Sequence, residues 1–295
     1  MSSRTYQASS KTSQWNRGDV AHFSHYYVKR LGAETLLDAI EQVTERWDTY
    51  RSIIPEPYVV MPAAFRATHL ADGSISLPFL ELFGRPPRDT AYESDRDLQL
   101  YLRQTLHLLN SSDVQGKISS SPRLARLAKE AAEDPKIIEE LYLATLSRLP
   151  REEDKSRIAA YLSSLPLSVP ENVLAEQKAA GEALAKVRAE RGKIGAEYDA
   201  AERAAKAAQT AAAKAKDAAA RAAANKTAAD ERKLAADAKT RRDKLPAQEK
   251  AANARLTAAN KGVDAAKAAI RQRKDQAIQD LMWALLNTKE FVFSH

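Results

Sequence analysis

The chain has 295 residues, with 46 Lys+Arg against 39 Asp+Glu and no cysteine. The missing cysteines exclude disulfides, thiolate zinc sites, CxxCH haem attachment and cysteine nucleophiles. No stretch approaches the ~20 apolar residues of a membrane-spanning helix. The net charge of +7 is local: residues 171–270 hold 21 Lys+Arg against 14 Asp+Glu, and the other 195 residues carry 25 of each sign. The start, MSSRTYQASSKTSQ, has no hydrophobic signal segment, so the chain as written is expected to be soluble and not exported.

In chain order, the first helix is expected in LGAETLLDAIEQVTER. There Leu36, Leu37, Ile40 and Val43 recur at helical spacing and give one apolar face. From Ile53 to Arg96 six prolines forbid long helices. Asp72-Gly73 between ATHL and SISL permits a small β-hairpin. This irregular excursion is expected to pack on the helices through Phe65, Phe79, Leu80, Leu82 and Phe83. A further helix ends at Asn110, with Leu98, Leu102, Leu106 and Leu109 as its apolar face. Ser121-Pro122 and Asp134-Pro135 each place a capping side chain before a proline whose missing N–H would be unpaired in the first turn anyway. The second cap opens a helix whose buried stripe is Ile138, Leu141, Tyr142, Thr145 and Leu149. Another begins at Pro150-Arg151-Glu152-Glu153 and runs through Ile158, Tyr161 and Leu162, its first-turn acids suiting the helix dipole.

Residues 171–270 break this pattern, with 38 alanines in 100 positions, one tyrosine, one proline and no Phe or Trp. Alanine, Lys, Arg, Glu and Gln are the strongest helix formers, so the segment is expected to be a long helical insertion. Large apolar residues are sparse. Leu234, Leu245 and Leu256 stand 11 apart, a period that keeps them on one face with right-handed drift. A segment inserted at one site must return to it, which favours two antiparallel arms of ~50 residues spanning ~75 Å. The turn is then expected near Asn225-Lys226-Thr227, with a kink or break at Pro246. The competing arrangements are a turn at Pro246, a single unpaired helix, and a disordered tract. The last helix holds Ile278, Leu281, Met282, Leu285 and Leu286. The class is mainly α: a compact helical domain over 1–164 and 271–295, carrying an Ala-rich helical hairpin or coiled coil over 171–270.

Chemistry-bearing motifs are few. There is no GxSxG, Walker-type GK[ST] or GxGxxG. His22 and His25 could share a helix face, but no third metal ligand is identifiable by spacing. Among Arg85, Arg88, Asp89, Glu93, Asp95 and Arg96, interleaved Arg and carboxylate could bind a carboxylate, sugar or peptide. A structural ion-pair network is the favoured reading of the set. Arg85, Glu93 and Arg96 are the binding candidates it leaves; no metal or cofactor is implied. The basic cluster Lys239–Lys244 could contact phosphate. Against that, the insertion interleaves its 14 acids with its bases and places no aromatics beside the cluster for base stacking. No continuous apolar face is available to enter a lipid surface.

Six blocks, SRTYQASS, HYYVKRLGAETLLDAIEQVT, LADGSISLPFLELFGRPPRDT, LHLLNSS, EELYLATLSRLP and WALLNTKEFVFSH, occur in that order. In this the chain resembles the domain of unknown function 1553, or planctomycete PSD-one domain, over roughly residues 2–164 and 275–295. The resemblance implies the C-terminal domain of a large exported polypeptide, behind another uncharacterised domain and often a cytochrome-c-like module. It implies no catalytic residues. The chain departs from the pattern at Met1, which falls where relatives are well inside the polypeptide. It departs again at Tyr92–Arg96, where some relatives are Cys-rich, and in the Ala-rich insertion. A fragment of such a polypeptide would be extracytoplasmic. The expected function is a non-enzymatic structural or protein-interaction module that engages a protein partner or a second copy through the hairpin. The alternatives are an accessory domain of an extracytoplasmic enzyme or redox-associated protein, and electrostatic nucleic-acid binding through 171–270.

Overall fold

The computed structural model describes residues 3–5, 7–19, 21–51, 61–70, 75, 77–86, 96–97, 99–129 and 134–294. The chain divides into two compact units, one of residues 1–165 with 274–295 and one of residues 166–273.

The first unit is helical. Its elements are β1 (Lys29–Arg30), α1 (Ala33–Thr44), a 3-10 turn (Ala67–His69), α2 (Pro78–Leu82), α3 (Leu102–Asn110), α4 (Ser112–Ser119), α5 (Pro122–Lys129), α6 (Asp134–Leu146) and α7 (Glu152–Ser164). The last turns of a much longer helix, α9 (Ala218–Leu286), then α10 (Lys289–Val292) and β2 (Phe293–Ser294) complete it. Leu36, Leu37, Ile40 and Val43 of α1 are buried, as their spacing predicts, among Phe79, Leu80, Phe83, Leu141, Met282 and Leu285. The Ser121 hydroxyl accepts from the Leu124 N–H and donates to the Thr44 carbonyl at 2.7 Å, so the cap of α5 also ties it to the end of α1.

Three expectations fail locally. ATHL is not a strand. The Asp38 carboxylate accepts from the N–H groups of Ala67 (2.6 Å) and Thr68 (3.2 Å), which claims the donors a ladder would need and winds them into the 3-10 turn. Asp72 and Gly73 lie outside the described residues. Among the described residues strands pair instead at Lys29 opposite Ser294 and Arg30 opposite Phe293, antiparallel. On α3 the buried residues are Gln104 and Leu108, whereas Leu102 and Leu106 are exposed. The Gln104 side chain accepts from the Tyr101 N–H and donates to the Leu82 carbonyl at 3.0 Å, and these bonds turn the leucine row outward. Leu98 lies outside the described residues. Leu149 falls beyond the end of α6 and is exposed, while Ile137, Leu141, Tyr142 and Thr145 hold the stripe.

Gly84 closes α2 with φ +81°, and a Cβ there would lie 2.1 Å from the Asp97 carbonyl oxygen. Both the left-handed backbone and the close approach require glycine. Gly84→Ala is expected to cost about 2 kcal/mol, measured as a lower urea midpoint with an unchanged slope.

The second unit is a helical pair, α8 (Glu171–Lys214) and the greater part of α9. The turn occupies residues 215–217, not Asn225–Thr227, which is helical. The reason is that α9 does not stop at the base of the pair. Gly262 packs against Val173 at the root of α8, and α9 then runs on to Leu286. Halving a segment that is taken to run past Gly262 therefore overshoots. Asp217 starts α9, its carbonyl accepting from the Arg221 N–H. Pro246 sits inside α9 without ending it. The proline is exposed, while its neighbour Leu245 is only 3% exposed. Pro246→Ala restores one backbone hydrogen bond and is expected to stabilise this unit by about 2 kcal/mol. Hydrogen exchange around residues 242–246 reads the change directly.

Candidate functional site

Inward-facing residues of the pair follow alternating steps of four and three, broken once in α8 by a step of seven past the exposed Arg191. In α8 they are Val173, Gln177, Ala180, Leu184, Val187, Ile194, Tyr198, Ala201, Ala205, Ala208 and Ala212. In α9 the same steps give Ala228, Glu231, Ala235, Ala238, Arg242, Leu245, Glu249, Ala252, Leu256, Ala259 and Val263. A mean step of 3.5 is the heptad of a left-handed coiled coil, which corrects the 11-residue, right-handed reading. Leu245 and Leu256 occupy different heptad positions, and Leu234 is 58% exposed. The seam was hidden because alanine fills nearly half of it, and alanine contrasts little with the surface.

An alanine seam allows close approach but specifies register poorly, since each residue buries only about one methyl group. Polar pairs across the seam supply the register. Glu249 accepts from Arg188 (3.1 Å) and Arg191 (2.6 Å), and these bonds hold its carboxyl below the ordinary range. Arg241 pairs with Glu197 at 3.2 Å, and the Arg242 guanidinium stacks 4.4 Å from the Tyr198 ring centroid. Gln177 bonds Asn260, and Arg232 bonds Gln209 nearer the turn. Partners 83 residues apart at the root and 23 apart near the turn leave the antiparallel register as the only consistent pairing.

Of the binding candidates read from sequence, Arg85 and Arg96 converge on one acid, Glu34, in the first turn of α1. Arg96 makes a two-pronged contact of 2.6 and 3.1 Å, and the Arg85 Nε lies 3.7 Å away. Arg85 also donates to the Ile75 carbonyl. Burial alone would raise the Glu34 carboxyl, but the Arg96 hydrogen bonds and the charges of both arginines outweigh it and hold the group below its usual value. Glu93, with Arg88, Asp89 and Asp95, lies outside the described residues. His22 is exposed on Asp19, and His25 is buried. His107 stands edge-on to Phe79 and Phe83.

A second charged cluster went unread in the sequence. Glu41 is fully buried on α1 and accepts from the Asp48 N–H at 2.8 Å and from the Lys117 ammonium at 3.4 Å. Lys117 also pairs with Asp48. Burial pushes the Glu41 carboxyl up to about 7. The hydroxyl of Tyr50, whose ring is 1% exposed, has no hydrogen-bond partner. Glu41 alternates with apolar residues in its helix, so a solvated face was the natural reading of the sequence.

Among the described residues no group of three or more His, Cys, Asp or Glu could hold a metal ion. No helix there is long and apolar enough to cross a membrane. Comparison with curated proteins and with solved structures yields no match. A family model described as PSD1, protein of unknown function (DUF1553), matches residues 1–162. The match runs into α7 and stops before the alanine-rich pair. With more than half of its length matched, the chain belongs to this family of proteins of unknown function.

Proposed function

We infer that the chain is a non-catalytic protein-interaction module whose recognition element is the helical pair of residues 166–273. The observation that carries this reading is the polar lock on the pair, Glu249 with Arg188 and Arg191, and Arg242 on Tyr198. Side chains that could serve a partner are spent instead on fixing the register of two helices. Such a lock is useful where the outer faces must be presented in a constant arrangement. Arg241 and Arg242, the centre of the basic cluster, are engaged by Glu197 and Tyr198, which weakens the case for phosphate contact. Leu234 is the large apolar residue that stands outside the seam of α9.

The test is site-specific photo-crosslinking in cells, with the reactive residue at Leu234 or at the exposed Lys226, and a control at the exposed Arg151. A discrete adduct from the hairpin positions, of dimer mass or of one protein partner, is expected, with none from the control. No discrete adduct from either hairpin position would overturn the reading.

A further inference from the structure

The first unit holds a cavity of about 670 Å³ beside the terminal strand pair, lined by Arg30, Phe83, Tyr101, Leu108, Val292 and Phe293 among others. Its volume falls in the range of small-molecule sites, which are mostly apolar with a few placed polar groups. Among the described residues no acidic side chain lines it, while the basic Arg30 and Lys289 do.

Arg30 is the informative residue. It is 6% exposed. Its Nη2 donates to the carbonyls of Phe83 (3.0 Å) and Asp97 (3.1 Å), and the guanidinium carbon stands 5.4 Å from the Phe83 ring centroid. Its Nε and Nη1 have no hydrogen-bond partner. Among the described residues no carboxylate lies within ion-pair distance of it. The Asp97 charge favours the charged guanidinium, but burial outweighs it. Burying a guanidinium with no hydrogen-bonded carboxylate is costly, and charge-assisted bonds to one are the strong way to offset that cost. Leu100 and Leu102 stand at the cavity wall with 64% and 74% of their surface exposed, so apolar area remains for a chain to cover.

We propose that this cavity binds an amphipathic carboxylate of the fatty-acid class, its carboxylate drawn to Arg30 and its apolar body lying along Phe83, Leu108, Val292 and Phe293. Charge complementarity favours a monoanion, and the apolar wall favours a hydrocarbon over a polar metabolite. The site lies in the first unit and is independent of the helical pair.

Titration calorimetry on the full chain with decanoate, decan-1-ol and acetate tests the assignment. Decanoate is expected to bind one-to-one and roughly tenfold or more tighter than decan-1-ol, with acetate silent. Arg30→Met should erase the preference for the acid. Thr105→Trp, which fills the cavity and leaves Arg30 in place, should abolish binding of both long-chain probes. Equal binding of acid and alcohol to the unaltered chain, or no binding of either, overturns the proposal. So does decanoate binding that survives Thr105→Trp in a variant with the unaltered helical circular dichroism.

Discussion

Glu34→Ala is expected to lower the stability of the first unit by about 3–5 kcal/mol, the range for removing one partner of a buried ion pair. Glu34 is 4% exposed and Arg85 is 7% exposed. The deletion therefore removes, in a low-dielectric setting, an acid that two guanidinium groups share. Arg85 and Arg96 approach α1 from beyond α2, and Glu34 is where they meet, so the same change should also loosen the backbone around Gly84 and Asp97. Glu34→Gln keeps an acceptor but not the charge and should lose about half as much. Urea unfolding followed by tryptophan fluorescence measures both. A loss below about 1 kcal/mol for Glu34→Ala would mean that the arginines are balanced elsewhere. The pH sign follows from the depressed carboxyl. The contribution of Glu34 is present above the ordinary carboxylate range and is lost as pH falls through the folded-state value.

What the sequence made legible follows the range of the interactions involved. Contacts between residues three or four apart were readable, so the apolar face of α1 and the serine cap of α5 fall where the pattern predicts. The alanine-rich segment is helical and paired for the same reason, since propensity is local. Readings that needed a long-range partner failed. Arg30 pairs with Phe293 across the whole chain, and two-residue strands carry no pattern. ATHL looked extended until Asp38, 29 residues earlier, took its first donor. The hairpin turn was misplaced because the second arm was taken to end beyond residue 270, when its pairing with α8 ends near Gly262 and the helix continues to Leu286. The candidate site was half legible. Arg85 and Arg96 could be singled out as an unusual polar pair, but Glu34, 62 residues before Arg96, reads as an ordinary first-turn acid. Glu41 and Lys117 were missed for the same reason, because a charge on an amphipathic helix is placed at the surface by default.

Glu41 makes the second large effect a matter of pH. Its folded-state value of about 7 lies above the ordinary glutamate value of 4.5, so the native state binds the extra proton. Its favourable contribution is then complete below about pH 4.5 and is lost as pH rises through about 7. A shift of this size amounts to about 3 kcal/mol between the two limits. The groups that face it set the balance: Lys117 and the Asp48 N–H favour the carboxylate, and burial together with the Asp48 charge opposes it. His107 works the other way in the same window, because burial lowers its value and its contribution grows with pH. The informative quantity is therefore the difference between the unaltered chain and Glu41→Gln, in which the His107 contribution cancels. Glutamine imitates the protonated carboxyl. The two proteins should be close in stability at pH 5, and the variant should be the more stable by about 2–3 kcal/mol at pH 8. A difference that stays constant across that window would show that Glu41 does not titrate there. Lys117 would then hold it ionised, and the cluster would be a balanced buried ion pair rather than a proton-holding one.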